Sequence, residues 1–159
     1  REFKDVLISI QCIDFNGNVK IIDKNNVKFE YRGSNLPKDL IFLSASFKGK
    51  KEDQNKIQNK MLEMKEKKEN TQPSKIKTGG STFKNPKNQT TKKVWELIKE
   101  TVPNSLSFGD AAISEKHANF FINKKNASFS DMKKLISTVR DKVFKKTGIK
   151  INTEIIIVE

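Results

Sequence analysis

The strongest pattern in the sequence is an amphipathic helix in the stretch NASFSDMKKLISTVRDKVFKKTG. Ser128 and Asp131 have the spacing of a capping box, in which each side chain binds the other residue's backbone N–H. Gly148 is placed to end the helix. One face of the helix is apolar: Met132, Leu135, Ile136, Val139, Val143 and Phe144. A helix with one apolar face must bury it, so the sequence predicts an α+β domain in which this helix packs on a mixed or antiparallel sheet.

The amino-terminal third is predicted to form a series of short strands. The segment Asp5–Asp14 alternates apolar and polar residues, which is typical of a strand with one buried face. That face is expected to hold Val6, Ile8, Ile10 and Cys12. The pair Asn16-Gly17 suits a tight hairpin turn, and VKIID, VKFEY and LIFLSASF extend the series as a meander. In this pattern Cys12 is a small core residue rather than a reactive thiol.

Two more helices and two more strands are expected further along the chain. A helix over residues 50–70 is rich in lysine and glutamate and would cover one side of a sheet or connect two domains. Its thin apolar stripe is Ile57, Met61 and Met64. The stretch KKVWELIKET predicts a short helix that stops before Pro103. Its inward residues are Val94, Leu97 and Ile98. The stretch ISEKHANFFIN leads into one strand, and IKINTEIIIV forms the last.

The net charge of the chain, and the kind of basic residue that carries it, indicate which classes of partner to expect. A net charge of +13 suggests nucleic acid at first sight. However, of 32 basic residues only Arg1, Arg32 and Arg140 are arginine, and 29 are lysine. Readers of phosphates and bases usually recruit arginine, whose planar fork binds two acceptors. We therefore expect no nucleic-acid partner, and since no apolar run reaches membrane-spanning length we expect no membrane partner and a cytoplasmic location.

Three features could carry chemistry, and each also has a plain structural reading. The stretch GGSTFKNP lacks the spacing of a Walker A loop or a nucleophile elbow, so it is either a strand-to-loop turn or the setting of a reactive hydroxyl. His117 is the only histidine and Cys12 the only cysteine, which excludes a zinc set of these residues. Glu154 lies among apolar residues; it is either an edge residue facing water or a carboxylate needed for function.

Taken together, these motifs resemble the UDP-N-acetylenolpyruvoylglucosamine reductase (UDP-N-acetylmuramate dehydrogenase) family. The stretches that carry the resemblance are, in order, REFKDVL, YRGS, TQP, GGSTFKNP, VWELI, ISEKHANFFIN, NAS and TEI. The chain resembles the carboxyl-terminal half of the shorter, second type of this family. The resemblance implies a flavoenzyme that uses FAD and NADPH to reduce UDP-N-acetylglucosamine enolpyruvate to UDP-N-acetylmuramate for peptidoglycan.

The resemblance also implies roles for individual residues. Its three catalytic positions fall on Arg32, Ser81 and Glu154. A guanidinium would hold the carboxylate and stabilise enolate charge, a serine hydroxyl would protonate the carbon, and a glutamate would tune or orient these groups. Contacts to the UDP-sugar are implied for Lys84, Asn85 and His117. Ala112 stands where many relatives have glutamine, so one substrate contact is expected to be missing.

The domain organisation follows from the same resemblance. Residues 1–48 would be the trailing part of a flavin-binding α+β domain, residues 49–75 a connecting helix and linker, and residues 76–159 a carboxyl-terminal α/β substrate-binding domain. The family's glycine-rich turns for the FAD pyrophosphate precede REFKDVL, so the cofactor-binding residues of this chain are unknown. We expect a truncated form that cannot hold FAD alone, of an enzyme that is monomeric at full length and contains no metal.

Two other functions are kept as alternatives. One is a non-catalytic fragment that retains the UDP-sugar pocket without redox chemistry. The other is a basic nucleic-acid-binding protein, whose affinity would fall steeply with salt as phosphate counterions are released.

Overall fold

The computed structural model describes residues 2–158 and divides into two compact units between Ile57 and Gln58. Arg1 and Glu159, the outer ends of the two domains expected from the sequence, lie outside the described residues. The division falls near the start of the first long helix, α1 (Gln54–Thr71). The expected boundaries after residues 48 and 75 remain a prediction.

A three-stranded antiparallel sheet forms most of the first unit. Its strands are β1 (Leu7–Asp14), β2 (Val19–Asp23) and β5 (Leu40–Phe47), with β1 in the centre. The short strands β3 (Phe29–Glu30) and β4 (Gly33–Ser34) pair only with each other. The expected meander is therefore wrong in one respect: VKFEY does not extend the sheet but pairs through β3 with β4, and β5 pairs with β1.

The register of β1 changes near its start. The pairing with β5 shifts between Leu7 and Ser9, and such a bulge reverses which side chains face inward. Leu7 and Ile10 are buried, whereas Ile8 is exposed and Val6 only partly buried. The single buried face expected through Val6 and Ile8 is thus wrong at this end of the strand. Cys12 is fully buried, as its placement in the core requires.

The β1–β2 connection contains the turn predicted at Asn16-Gly17. Gly17 has a φ of 85°, a left-handed conformation that costs glycine little and other residues more. The Asp14 carboxylate accepts the backbone N–H groups of Asn16 and Asn18, each at 3.0 Å. These bonds hold the pKa of Asp14 at about 2, well below its usual range.

The long helix α1 is exposed along its whole length. No residue of α1 is buried, and its thin apolar stripe is 44–66% exposed at Ile57, Met61 and Met64. A stripe of three residues on an 18-residue helix buries too little area to fix the helix to a sheet. Of the two readings of this helix, covering a sheet is not found among the described residues, and the role of a connecting helix stays a prediction.

The second unit is a four-stranded sheet with helices packed against it. The strand order is β6 (Lys77–Ser81), β9 (Phe120–Asn123), β8 (Ala111–Ile113) and β7 (Ser107–Phe108), and every pairing is antiparallel. Helices α2 (Val94–Thr101) and α3 (Phe129–Thr147) supply much of the core. The unit is therefore α+β; the α/β description expected from the resemblance is wrong, since that class requires parallel strands.

Helix α3 has both of its predicted ends. The Ser128 hydroxyl accepts the Asp131 N–H and the Asp131 carboxylate accepts the Ser128 N–H. Gly148 follows the last turn with a φ of 71°, and its N–H closes the helix on the Phe144 carbonyl. The predicted inward face is buried at Leu135, Ile136, Val139 and Val143. Phe144 is half exposed, because on a helix it is turned about 100° from its fully buried neighbour Val143.

The carboxyl-terminal segment is not the strand expected from IKINTEIIIV. It makes one isolated bridge, between Thr153 and Phe83, and Glu154 lies in a bend. Ile156 and Val158 are more than three-quarters exposed. The apolar run indicated a buried strand, but no neighbouring strand within residues 2–158 pairs with it past the bridge.

The packing of α3 on the sheet predicts a large stability effect of truncating Leu135. Leu135 is fully buried in the core shared by both helices and the sheet, so Leu135→Ala should lower the free energy of unfolding by about 2–5 kcal/mol through lost transfer energy and a cavity. Urea unfolding followed by the fluorescence of Trp95, the only tryptophan, measures this. The control Met64→Ala, at an exposed position on α1, should change the value by less than about 0.5 kcal/mol. Equal effects of the two variants would contradict the assigned core.

Candidate active site

A bulge in β6 determines how Ser81 is presented. Thr78 pairs with Ile122 of β9, the register then shifts, and Ser81 pairs with Phe120. Gly80 lies inside the shift with a φ of 84°, the left-handed conformation that glycine supplies at bulges of this type. The Thr78 hydroxyl fixes the bulge by accepting the Gly80 N–H at 3.2 Å and donating to the Phe121 carbonyl at 2.7 Å. The second glycine of GGSTFKNP thus turns the strand immediately before the serine.

The Ser81 side chain is only partly buried at the end of this strand. Its hydroxyl makes no hydrogen bond to any other residue within 2–158. The two residues that follow, Thr82 and Phe83, are almost completely buried. The chain therefore presents one hydroxyl directly beside a rigidly packed segment, an arrangement suited to a group that acts on a bound molecule.

Backbone pairing places Glu154 next to Thr82, the residue that follows Ser81. The Glu154 N–H donates to the Thr82 carbonyl at 2.8 Å, and the Lys84 N–H donates to the Asn152 carbonyl at 2.8 Å. These bonds flank the bridge between Phe83 and Thr153. The structure thus brings together two of the three catalytic residues expected from the sequence, Ser81 and Glu154, with the Glu154 side chain partly buried.

Asn119 is a residue of this site that sequence reasoning did not single out. Its side chain is almost fully buried, and its amide bonds both backbone groups of Phe83. The Phe83 N–H donates to Oδ1 at 3.0 Å, and Nδ2 donates to the Phe83 carbonyl at 2.9 Å. The only signal in the sequence is a polar residue inside the apolar run HANFFIN, which by itself does not indicate its partner.

Lys84 and Asn85, the expected substrate contacts, continue from the same segment. Both are partly buried. The Asn85 Oδ1 accepts the N–H of Val94, the first residue of α2, at 2.9 Å. Side-chain oxygens commonly satisfy such unpaired N–H groups at helix starts. Asn85 therefore has a structural bond in the described chain, and its contact with substrate remains a prediction.

His117 packs against aromatic rings at the start of β9. Its ring lies 4.8 Å from the Phe120 ring and 6.2 Å from the Trp95 ring, measured between centroids. Its Nδ1 accepts the Asn119 N–H at 3.2 Å, which requires that nitrogen to be unprotonated. Burial lowers the pKa of His117 below its ordinary value. The imidazole also lines an open cleft of about 450 Å³, together with Trp95, Lys99, Ser114 and Lys116.

Arg32, the third expected catalytic residue, belongs to the first unit. It occupies the second position of the two-residue loop between β3 and β4, with a φ of 59°. Its guanidinium carbon lies 5.4 Å from the centroid of the Tyr31 ring. A non-glycine residue in this conformation is uncommon and costs about 1–3 kcal/mol.

Ala112, expected at a position where many relatives have glutamine, is buried in the middle of β8. It pairs with Ile122 on one side and Ser107 on the other. A methyl group there offers no hydrogen bond to a ligand.

Comparison with known proteins decides the family. The model of the family described as "UDP-N-acetylenolpyruvoylglucosamine reductase, C-terminal domain" matches residues 72–158, which is more than half of the chain. The chain belongs to this family. The resemblance carried by GGSTFKNP and ISEKHANFFIN is thereby confirmed.

Curated members of the family align over nearly the whole chain. A UDP-N-acetylenolpyruvoylglucosamine reductase of Pelagibacter ubique is 61% identical over 155 residues, covering 98% of this chain and 51% of the relative. One from Rickettsia bellii is 46% identical over 154 residues, covering 97% of this chain and 50% of the relative. The chain thus spans about half the length of the curated relatives it matches.

A solved structure of the family has the same fold. The crystal structure of UDP-N-acetylenolpyruvylglucosamine reductase from Thermus caldophilus superposes with a TM-score of 0.77 at 28% identity. The superposition covers 95% of this chain and 52% of that protein. Within residues 2–158, no helix combines the length and the apolar character needed to cross a membrane.

Residues 2–57 do not form a cradle for a flavin pyrophosphate. Such cradles place a glycine-rich turn at the start of a helix. Gly17 and Gly33 lie in hairpins rather than before a helix. Gly49 precedes α1, but the start of α1 is occupied by the Asp53 carboxylate, which accepts the Lys56 N–H at 3.1 Å. Among the described residues, none is therefore assigned to the dinucleotide.

The environment of His117 predicts a pH dependence of stability. The folded chain binds a proton at the His117 imidazole less tightly than the unfolded chain does. The stability that neutral His117 contributes is therefore complete above its ordinary pKa of about 6.5, and it is lost as the pH falls through the lower folded pKa. Urea unfolding at several pH values between about 5 and 7.5 should show a shallower loss of stability in acid for His117→Gln than for the parent chain.

The matched control for this measurement is Lys116→Gln at the neighbouring, exposed position. It should keep the acid slope of the parent chain. Identical slopes for His117→Gln and the parent would contradict a lowered pKa at His117.

Proposed function

We propose that this chain forms the substrate-binding part of an enzyme that reduces UDP-N-acetylglucosamine enolpyruvate to UDP-N-acetylmuramate in peptidoglycan synthesis. The observation that carries the proposal is the placement of Ser81 after a glycine bulge, with Glu154 hydrogen-bonded to the next residue, in a member of this reductase family. FAD and NADPH are the proposed cofactors of the complete protein, which we propose to be a cytoplasmic monomer.

The proposed role of Ser81 is to donate a proton. The flavin, when bound by the complete protein, supplies the hydride for the methylene carbon of the enolpyruvyl ether. Negative charge then develops on the adjacent carbon and its carboxylate, and the Ser81 hydroxyl protonates that carbon. A positioned general acid of this kind contributes about 10²–10⁴-fold in rate. The absence of an internal partner for this hydroxyl within residues 2–158 supports the role, since no bond must break first.

Glu154 and Arg32 are proposed to assist this step. Glu154 would orient the substrate or the Ser81 proton, and its backbone bond to Thr82 keeps it beside that residue. Arg32 would bind the substrate carboxylate and stabilise the enolate charge, because a guanidinium offers two parallel donors. The uncommon backbone conformation of Arg32 supports a functional role, since such strain is found chiefly where a side chain must be presented.

The sugar nucleotide is proposed to contact Lys84, Asn85 and His117. Lys84 supplies a positive charge for a diphosphate. His117, kept neutral by burial, supplies an imidazole without a competing charge. Ala112 leaves one family contact unmade.

A chimeric protein tests the proposal directly. In it, this chain replaces the matching half of the Pelagibacter ubique relative, which supplies the remaining half. We expect oxidation of NADPH that depends on UDP-N-acetylglucosamine enolpyruvate, followed by absorbance. Ser81→Ala should lower kcat by about 10²–10⁴-fold, while reduction of the flavin by NADPH continues. Ser105→Ala, at an exposed serine of the same unit, should retain full activity.

Two outcomes would contradict the assignment. A folded, flavin-loaded chimera without substrate-dependent turnover would remove the proposed function. Full turnover in Ser81→Ala would leave the function but remove the proton donor.

The non-catalytic alternative is favoured by one observation, the lack of a dinucleotide cradle among the described residues. Calorimetric titration of this chain with UDP-N-acetylglucosamine enolpyruvate distinguishes the two. Binding by the chain together with an inactive chimera would favour a binding fragment.

A further inference from the structure

We propose that Asn119 is a positioning residue whose side-chain amide holds the backbone of Phe83 and so sets the direction of the Ser81 hydroxyl. The inference rests on the proposed function of Ser81. It adds to that function a residue of β9's amino-terminal turn that makes no contact with the reacting atoms.

The side-chain amide of Asn119 makes the two hydrogen bonds that the backbone of a neighbouring strand would make to Phe83. Its Oδ1 accepts the Phe83 N–H at 3.0 Å and its Nδ2 donates to the Phe83 carbonyl at 2.9 Å. This two-bond ring has the pattern by which a residue of an antiparallel strand pairs with its neighbour. The main chain of Asn119 adds a third bond, because its carbonyl accepts the Thr82 N–H at 2.8 Å.

The amide is needed because regular pairing ends at the serine. The ladder between β6 and β9 stops at the Ser81–Phe120 pair. On the other side, Thr82 and Lys84 bond to Glu154 and Asn152. The N–H and carbonyl of Phe83 point the opposite way, toward β9, in a residue that is 1% exposed. Without Asn119 both groups would be buried and unpaired, which is unfavourable enough to rotate the peptide planes.

Rotation of the Phe83 peptide planes would change the direction of the nearby Ser81 side chain. The Phe83 ring is held by the core and lies 5.8 Å from the Phe121 ring, edge to face. The ring fixes the position of residue 83 but not the orientation of its peptide groups. Those groups are two residues from the Ser81 side chain, which has no hydrogen bond of its own within residues 2–158 to hold its direction.

Asparagine is the residue type that this geometry requires. An amide has a donor and an acceptor in one plane, whereas an ionised aspartate has acceptors only. Asn119→Asp would keep the bond from the Phe83 N–H but place a carboxylate against the Phe83 carbonyl. Protonation of that aspartate would restore the donor, so its effect on Ser81 should depend on pH.

The test uses amide hydrogen exchange and resonance positions by NMR on the full chain. In Asn119→Ala the Phe83 amide should exchange about tenfold faster or more, the factor for one lost hydrogen bond, while the Leu135 amide is unchanged. The Ser81 resonances should shift in the same variant. In Asn119→Asp, the Ser81 resonances should move back toward the parent positions as the pH is lowered. His117, whose Nδ1 accepts the Asn119 N–H, also takes up a proton in acid, so the effect is read as the difference between Asn119→Asp and the parent chain at each pH.

A matched control separates positioning from general stability. Asn123 is an asparagine at the other end of β9, and its Oδ1 accepts the Ala127 N–H at 2.9 Å. Asn123→Ala should disturb residues 125–127 and leave the Phe83 and Ser81 signals unchanged. Unchanged Phe83 exchange and Ser81 resonances in a folded Asn119→Ala would overturn the proposal. If that variant does not fold, Asn119→Asp decides: a pH dependence of the Ser81 resonances no larger than that of the parent chain overturns the proposal, and a larger one supports it.

Activity in the chimera completes the test. Asn119→Ala should lower kcat more than it changes KM, because a misdirected hydroxyl affects proton donation and not substrate affinity. A parent chimera without turnover would remove the role of Ser81, whereas the bond between Asn119 and Phe83 is measured separately by exchange. Altered Phe83 exchange with unchanged kcat would show a purely structural bond and overturn the positioning role.

Discussion

The pairing of residues 82–84 on both of their sides is the interaction on which the second unit depends. On one side, Asn119 binds Thr82 and Phe83; on the other, the carboxyl-terminal segment binds Thr82 and Lys84. This short stretch therefore joins the beginning of β9 to the end of the chain. Phe83 enters the core at the same point. The backbone of residues 82–84 thus belongs to both the polar site and the hydrophobic core. This double attachment keeps the site rigid although no long strand passes through it.

Of the two glycines before Ser81, only Gly80 has a backbone conformation that favours glycine. Gly80 has a positive φ within the register shift, a conformation that other residues adopt only at a cost. At Gly79 a Cβ would lie 3.6 Å from the Ile155 side chain, an ordinary contact distance. The bulge lies just before the Ser81–Phe120 pair, at which the regular ladder ends. The bonds from Asn119 and from residue 154 then replace the ladder beyond it.

The basic character of the chain is explained by lysines on its exposed surfaces. Many lysines lie on exposed surfaces, and α1, which carries five of them, buries no residue. Exposed lysines are strongly hydrated and contribute little through pairing. The charge thus describes the surface and says little about the site. Residues with specific bonds in the site are mostly uncharged, namely Thr78, Asn85, Thr82 and Asn119.

Local chemistry determined much of this protein from sequence alone. The capping box and terminal glycine of α3, the inward residues of α2, the turn at Gly17 and the burial of Cys12 all follow from short-range patterns. Tertiary structure alone decided that β5 pairs with β1, that the apolar tail is no strand, and that Asn119 meets Phe83. The first and the last of these features bring together residues at least 26 positions apart in the sequence. The second depends on whether a partner strand exists for the tail. Local propensity carries no information about such partners, because they are selected by packing and by the need to satisfy buried backbone groups.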